Sequence, residues 1–374
     1  SGMSDPSIRQ RKLDHVALAM SDAAVSACDP GWSDVTLVPV TLPETSPDDV
    51  DLALSFLGFD LRAPILIAGM TGGHPDVEKI NAALATAAQA HGVAMGVGSQ
   101  RAALLDPDLV PSYAIVRQHA PDAFICGNIG ISQVLEGETG TDILARLVDM
   151  VEANALAVHI NVLQELVQPE GDIKPGGAFE ALGNMVAKSP VPVIVKETGC
   201  GFDQVTANRL KDTGIAAIDV GGMGGTSFTL IEGMRAETAR DRRGARLAQT
   251  FSTWGIPTAC SVLEVRDTGL PIIATGGISD GLQAAKALSL GAHLVGIGRK
   301  MLTAAVAGPE AAVEELGLII EEIRISLALS DCRNLKQFAT RQSVLSGKVA
   351  LWQAHKQLTK SADGSDEKNI GGTD

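Results

Sequence analysis

The stretch HINVLQELVQPEGD, residues 159–172, sets His159, Asn161, Gln164, Glu165, Gln168, Glu170 and Asp172 directly after the apolar run Ala155–Val158. A chain that needed only another strand would turn here. His159, Asn161 and Gln164 are instead suited to donating to phosphate oxygens or orienting a substrate. Glu165 offers a carboxylate to a hard cation such as Mg2+, which keeps most of its waters and bridges to substrate phosphates. The plainer reading is a solvated polar loop. Lys196, in VIVKETG, poses a second question. An ammonium inside a run that should be buried is costly unless an anion or a polarised group faces it. The alternative is an ion pair with Glu197 or another carboxylate inside the fold.

Two glycine turns add a third chemistry. TGGISDG places Gly276 and Gly277 just before a helix, with Asp280 as candidate N-cap, and GIGR places Gly298 and Arg299 at the start of the next. Glycine lets backbone N–H groups approach an anion, and the helix dipole with Arg299 adds positive potential. Both turns also read simply as tight strand-to-helix connections. No GxSxG elbow or cysteine with a plausible base is visible, so a phosphorylated cofactor is expected to carry the chemistry.

These residues need a scaffold that brings them together. From residue 61 the chain alternates short apolar runs with Ala/Leu-rich amphipathic stretches. The runs are APILIAG, GVAMGVG, AFICGNIG, ALAVHIN, VPVIVKETG, IAAIDVGG, LPIIATGG and AHLVGIG. Continuous apolar runs suit parallel strands covered on both faces. This repetition predicts an α/β fold, a (β/α)8 TIM barrel over 61–308, with an open doubly wound sheet as the rival. The run ends supply Met70 and Thr71, Ser99 and Arg101, Asn128, His159 and Asn161, Lys196, Thr226, Gly276 and Gly277, and Gly298 and Arg299. In such a barrel those ends form the active face. Taken singly, Ser99 and Asn128 read equally well as satisfied core polar groups.

Three segments lie outside the rhythm. Residues 1–60 form an N-terminal extension with the basic RQRKLDHV, residues 221–269 a long loop of the kind that binds or covers ligands, and residues 309–358 C-terminal helices. The polar tail 359–374 is expected to be disordered.

Composition narrows the class of partner. The chain of 374 residues carries a net charge of −14, and aromatics make up 3%. Such a chain repels phosphate backbones and has few rings for base stacking, so no nucleic-acid partner is expected. An anionic small molecule needs a local basic cluster instead. Arg11, Lys12 and His15 with Arg101 supply one, although Arg11 and Lys12 also read as a plain basic terminus. The five scattered cysteines and the lack of a leader pattern or apolar span predict a cytoplasmic protein with reduced thiols and no membrane partner.

RKxxH at 11–15, AGMTGG at 68–73, GSQR at 98–101, HxNxxQE with QPEGD, VKETGCG, DVGGMGGTSF, TGGISDG and GIGR together resemble the type 2 isopentenyl-diphosphate isomerases, flavin-dependent barrel enzymes. The resemblance implies conversion of isopentenyl diphosphate to dimethylallyl diphosphate in isoprenoid biosynthesis. It implies FMN, Mg2+ and NADPH or NADH as flavin reductant, with the reduced flavin acting as acid and base. Met70, Thr71, Ser99, Asn128, Lys196 and Thr226 would hold the flavin ring and ribityl chain, and Gly276, Gly277, Gly298 and Arg299 its phosphate. Arg11, Lys12, His15, Ser99, Arg101, His159 and Asn161 would face the diphosphate, with His159 also a candidate catalytic residue. Gln164 would sit by the reacting carbons and Glu165 would hold Mg2+. The family further implies a homo-oligomer, a tetramer or octamer.

Two rivals share this scaffold. An FMN-dependent 2-hydroxy acid oxidase or dehydrogenase needs a histidine in a His-Gly-Gly-Arg context, where this chain has DVGGMGGTSF. A non-catalytic flavin or phosphate sensor would not require Glu165 together with the basic cluster.

Overall fold

The computed structural model describes residues 16–168 and 173–366. All eight apolar runs are strands: β1 (Ile65–Ile67), β2 (Ala94–Gly96), β3 (Ile125–Gly130), β4 (Ala155–Ile160), β5 (Val193–Glu197), β6 (Ala217–Asp219), β7 (Ile272–Thr275) and β8 (Leu294–Ile297). They pair in parallel, and β8 returns to β1 with Val295 opposite Ile65, which closes the ring. The fold is therefore a TIM barrel, and the open sheet is excluded.

Period-two alternation divides each strand between the barrel interior and the helical shell. Leu66, Ala94, Cys126, Ala155, Ala157, Ile194, Ala217, Ile273 and Leu294 form one interior cluster with Phe56, Leu61 and Phe124. The hairpin Leu54–Phe56/Phe59–Leu61 supplies the plug, since Phe56 and Phe59 both meet Phe124 edge-on. The end opposite this plug is left for polar residues.

The long connection 221–269 begins with glycine-rich residues at the barrel mouth and then turns helical. It folds into helices α1 (Phe228–Thr238), α2 (Arg242–Thr250) and α3 (Thr258–Val265). The charged run RAETARDRRGAR conceals this, because small residues set the packing. A Cβ on Gly233 would lie 2.5 Å from the Ala248 Cβ, and one on Gly244 would lie 2.9 Å from the Ala236 Cβ. Only glycine at these crossings lets α1 and α2 lie so close.

The segments flanking the barrel on either side meet across the shell, where residues 35–37 pair antiparallel with 343–345. Helix α4 (Pro309–Leu329) buries the stripe Ala312, Leu316, Ile319, Ile323 and Leu327, spaced by three or four residues as a helix requires. Helix α5 (Gly347–Asp366) runs past residue 358, so an unstructured tail from 359 is corrected for residues 359–366. Extending an existing helix costs no new nucleus, which lets it run on through polar sequence. Residues 367–374 lie outside the described residues.

Candidate functional site

One step of alternation above the apolar interior cluster, the strands carry Asn128, His159, Lys196, Asp219 and Thr275. Register sets three of them in a row: His159 lies opposite Lys196, and Lys196 opposite Asp219. The polar floor is thus a direct product of period-two geometry at the C-terminal ends of the strands.

Asn128 is buried and fully engaged. Its Nδ2 donates to the Val97 carbonyl at 3.0 Å, which turns Oδ1 toward His159 Nδ1 at 2.7 Å. That geometry makes Nδ1 the protonated ring nitrogen of His159. Asp219 was not foreseen. Burial raises its pKa, and the adjacent Lys196 ammonium opposes the rise. The carboxylate envisaged for Lys196 inside the barrel therefore exists. The signal was available, since an Asp inside the apolar run IAAIDVGG is as costly as the Lys.

Above this floor opens a cavity of about 850 Å³, within the range of cofactor sites. Met70, Thr71, Lys196, Thr226, Gly276, Gly277, Gly298 and Arg299 all line it. The Oγ1 of Thr71 is buried there without a protein partner, which fits a wall built for a polar ligand. Gly276 and Gly277 have φ of +130° and +66°. A Cβ on Gly277 would come within 2.7 Å of Pro30 Cγ and 2.8 Å of the Gly224 carbonyl oxygen. Gly277→Ala is accordingly expected to weaken FMN uptake about tenfold or more and to lower the melting temperature, because a left-handed alanine costs about 1–2 kcal/mol before any clash. Titration of the apoprotein with FMN checks this. The helix Arg299–Ala307 follows, with Arg299 in its first turn.

A second, smaller recess shares Glu197, Thr198, Gly199, Gly224, Gly225, Thr226 and Phe228 with the first. It adds Asn161, Leu163, Gln164, Met223, Phe251 and Trp254. Its polar side comes from residues 161–167, where Asn161 precedes the short helix Val162–Val167. Asn161 Nδ2 donates to Glu165 Oε1 at 3.0 Å and lies 3.3 Å from Gln164 Oε1. Its Oδ1 is buried without a protein partner. An uncompensated oxygen next to a carboxylate fits a hard cation whose remaining ligands are waters and phosphate oxygens. Among the described residues no cluster of three His, Cys, Asp or Glu forms a self-contained metal cage.

Glu232 on α1 was missed. It is completely buried and accepts from Gln164 Nε2 at 3.0 Å and Arg235 Nη1 at 2.5 Å. A glutamate in the helix FTLIEGMR reads as an ordinary solvent-facing residue, so only the packing of α1 reveals it.

Glu197 anchors the wall between the two cavities. Its Oε2 accepts from the N–H groups of Gly199 at 2.7 Å, Cys200, and Gly201 at 3.2 Å. Burial nevertheless pushes its pKa up to about 7. A carboxyl with a raised folded pKa favours the native state most below its unfolded value, and that advantage is lost as pH climbs toward 7. Glu197→Gln is expected to flatten this fall in melting temperature between about pH 4.5 and pH 7, measured by thermal denaturation across that range.

Other expected residues stand apart. Ser99 and Arg101 line neither cavity. The Ser99 carbonyl accepts from the Tyr113 hydroxyl, and Arg101 Nη2 lies 3.6 Å from Glu136 Oε2. Arg11, Lys12, His15, Glu170 and Asp172 lie outside the described residues. The chain enters them at Val16, which itself lines the larger cavity. No helix among the described residues is long and apolar enough to cross a membrane.

The model of the FMN-dependent dehydrogenase family matches residues 145–345. An isopentenyl-diphosphate delta-isomerase of Methanosarcina mazei is 42% identical over 90% of this chain and 92% of its own length. One of Archaeoglobus fulgidus is 40% identical over 92% of this chain and 98% of its own. Among solved structures, a mandelate oxidase variant superposes with a TM-score of 0.60 at 20% identity, covering 90% of this chain and 94% of that one. At that identity the last likeness concerns the fold alone.

Proposed function

Since the chain belongs to the FMN-dependent dehydrogenase family and, by its close relatives, to the isopentenyl-diphosphate delta-isomerases, we propose that it converts isopentenyl diphosphate to dimethylallyl diphosphate with FMN bound at the barrel mouth. The observation that carries this reading is a single cavity lined by Met70, Thr71, Lys196, Thr226, Gly276, Gly277, Gly298 and Arg299. Those residues come from five different strand ends and have no common structural need to converge.

The residues fit the group. Gly276, Gly277 and Gly298 bring backbone close to a phosphate, Arg299 adds charge, and Lys196 and Thr71 present polar atoms to a ring system. When bound and reduced by NADPH or NADH, FMN supplies the acid–base chemistry for moving a proton between allylic carbons without net redox change. The protein does the rest. The recess beside Gln164 takes the alkenyl group, with Leu163, Met223 and Phe228 excluding water from it. Glu232 holds the Gln164 amide in one orientation. His159, kept in its Nδ1–H form by Asn128, would bind the diphosphate together with Asn161, and Arg11, Lys12, His15, Ser99 and Arg101 are assigned to the same substrate group by the family resemblance. Glu165 and Asn161 Oδ1 would hold a Mg2+, which would supply positive charge against the substrate diphosphate. Proton transfer needs only groups within hydrogen-bond reach and suitably tuned.

Anaerobic incubation with isopentenyl diphosphate, FMN, Mg2+ and NADPH, followed by product analysis, tests the reading. Dimethylallyl diphosphate is expected. A flavin that bleaches on addition of lactate or glycolate, with no diphosphate turned over, would support the 2-hydroxy acid oxidase instead. That rival is disfavoured here by the absence of a histidine in DVGGMGGTSF. The homo-oligomer, tetramer or octamer, remains part of the same proposal, as does a cytoplasmic location.

A further inference from the structure

Asp219 is a carboxylate in the barrel floor that lines neither cavity. It is buried at the end of β6, between the buried apolar residues Ile218 and Val220. Register places it opposite Lys196 on β5. Neighbouring strands lie about 5 Å apart, and residues directly opposite share one face of the sheet. Its Oδ1 accepts from the Gly221 N–H at 3.3 Å. On the other side of Lys196 stands His159, which Asn128 holds. The two charges act on one space. The buried Cys126 thiol on β3 is pushed up to about 12, by burial first, with the Lys196 ammonium lowering it and the Asp219 carboxylate raising it.

Stability does not explain the pair. Replacing a buried ion pair by apolar side chains of similar volume is often neutral or stabilising, and the interior cluster below is apolar throughout. What sets the pair apart is unequal access, because Lys196 lines the larger cavity and Asp219 does not. A group bound there meets the ammonium directly and the carboxylate only through its field. An unbalanced ammonium favours whichever form of that group carries the most negative charge. With a carboxylate beside it, the floor stays near neutral. That suits a cofactor that must both release and retake a proton.

We propose that Asp219 is a positioning residue that acts through Lys196, setting the field which that lysine presents to the ring of the bound flavin. The inference rests on the flavin reading of the cavity. The dependence is mutual, since the ammonium opposes the effect of burial on Asp219 and keeps it charged. Removing one partner therefore differs from removing the other. Asp219→Asn leaves a lone cation, whereas Lys196→Met leaves a buried carboxyl that takes up a proton and becomes neutral.

The test is the midpoint potential of bound FMN, from anaerobic redox titration of the full chain at neutral pH with protein in excess over FMN. Asp219→Asn is expected to raise it by about tenfold or more in the reduction equilibrium, which is about 30 mV for a two-electron couple. Lys196→Met, alone or combined with Asp219→Asn, should move it by less than that. A merely structural role would weaken both redox forms of FMN alike and leave the potential in place. An unmoved potential in Asp219→Asn overturns the proposal. So does a fall of about tenfold or more in the equilibrium for Lys196→Met, the result of an ammonium with no charged partner, and this arm holds even if Asp219→Asn does not fold. A wild-type chain that takes up no FMN would overturn the flavin reading, and the tuning by Asp219 with it.

Discussion

Glu165→Gln is expected to cut Mg2+-dependent turnover by about 100-fold or more, because a metal clamp on phosphoryl oxygens contributes several kcal/mol and the amide removes the carboxylate proposed to hold the metal. Flavin absorbance and FMN affinity should stay at wild-type levels, since Glu165 lies by the smaller recess and does not line the larger cavity. Raising Mg2+ should recover part of the loss. The partner oxygen, Asn161 Oδ1, is buried without a protein partner, so Asn161→Ala should weaken the metal dependence in the same direction. Turnover that is indifferent to Glu165→Gln at limiting Mg2+ would remove the metal from this corner of the site.

Lys196→Met is expected to act on the other cavity. Hydrogen bonds from a charged donor contribute about 1.5–3 kcal/mol, so FMN affinity should fall between about tenfold and about 100-fold. The loss has a second component in the barrel floor. Asp219 is buried and opposite Lys196 in register, and the ammonium restrains the rise of its pKa. Without that cation the Asp219 pKa climbs further. A raised folded pKa penalises the native state above the unfolded carboxylate value, so the variant should lose melting temperature relative to wild type as pH rises from about 4 to neutrality. Adding Asp219→Asn should remove this pH-dependent part and leave the loss of FMN affinity. A Lys196→Met protein that takes up FMN normally would contradict the assignment.

Much of this was legible in the sequence, for physical reasons. Parallel strands covered on both faces must be apolar throughout, so all eight stood out, and their polar or glycine ends marked one face of the barrel. Lys196 announced itself by its cost. Glu232 did not, because a glutamate on a helix is ordinary until packing buries it. The helices α1 and α2 were hidden by a charged surface, and the cue lay in Gly233 and Gly244, whose meaning depends on what they pack against. The contacts of Asp22 with Arg299 and of Pro30 with Gly277 span more than a hundred residues of sequence and have no local signature at all.

In the proposed reaction these distant strand ends surround one reduced flavin, and a proton is relocated without net electron transfer. Its most direct test is the reaction in D2O with limiting NADPH. Many molecules of dimethylallyl diphosphate per NADPH consumed are expected, each with solvent deuterium at a methyl carbon. One NADPH spent per product, or product free of deuterium, would contradict it.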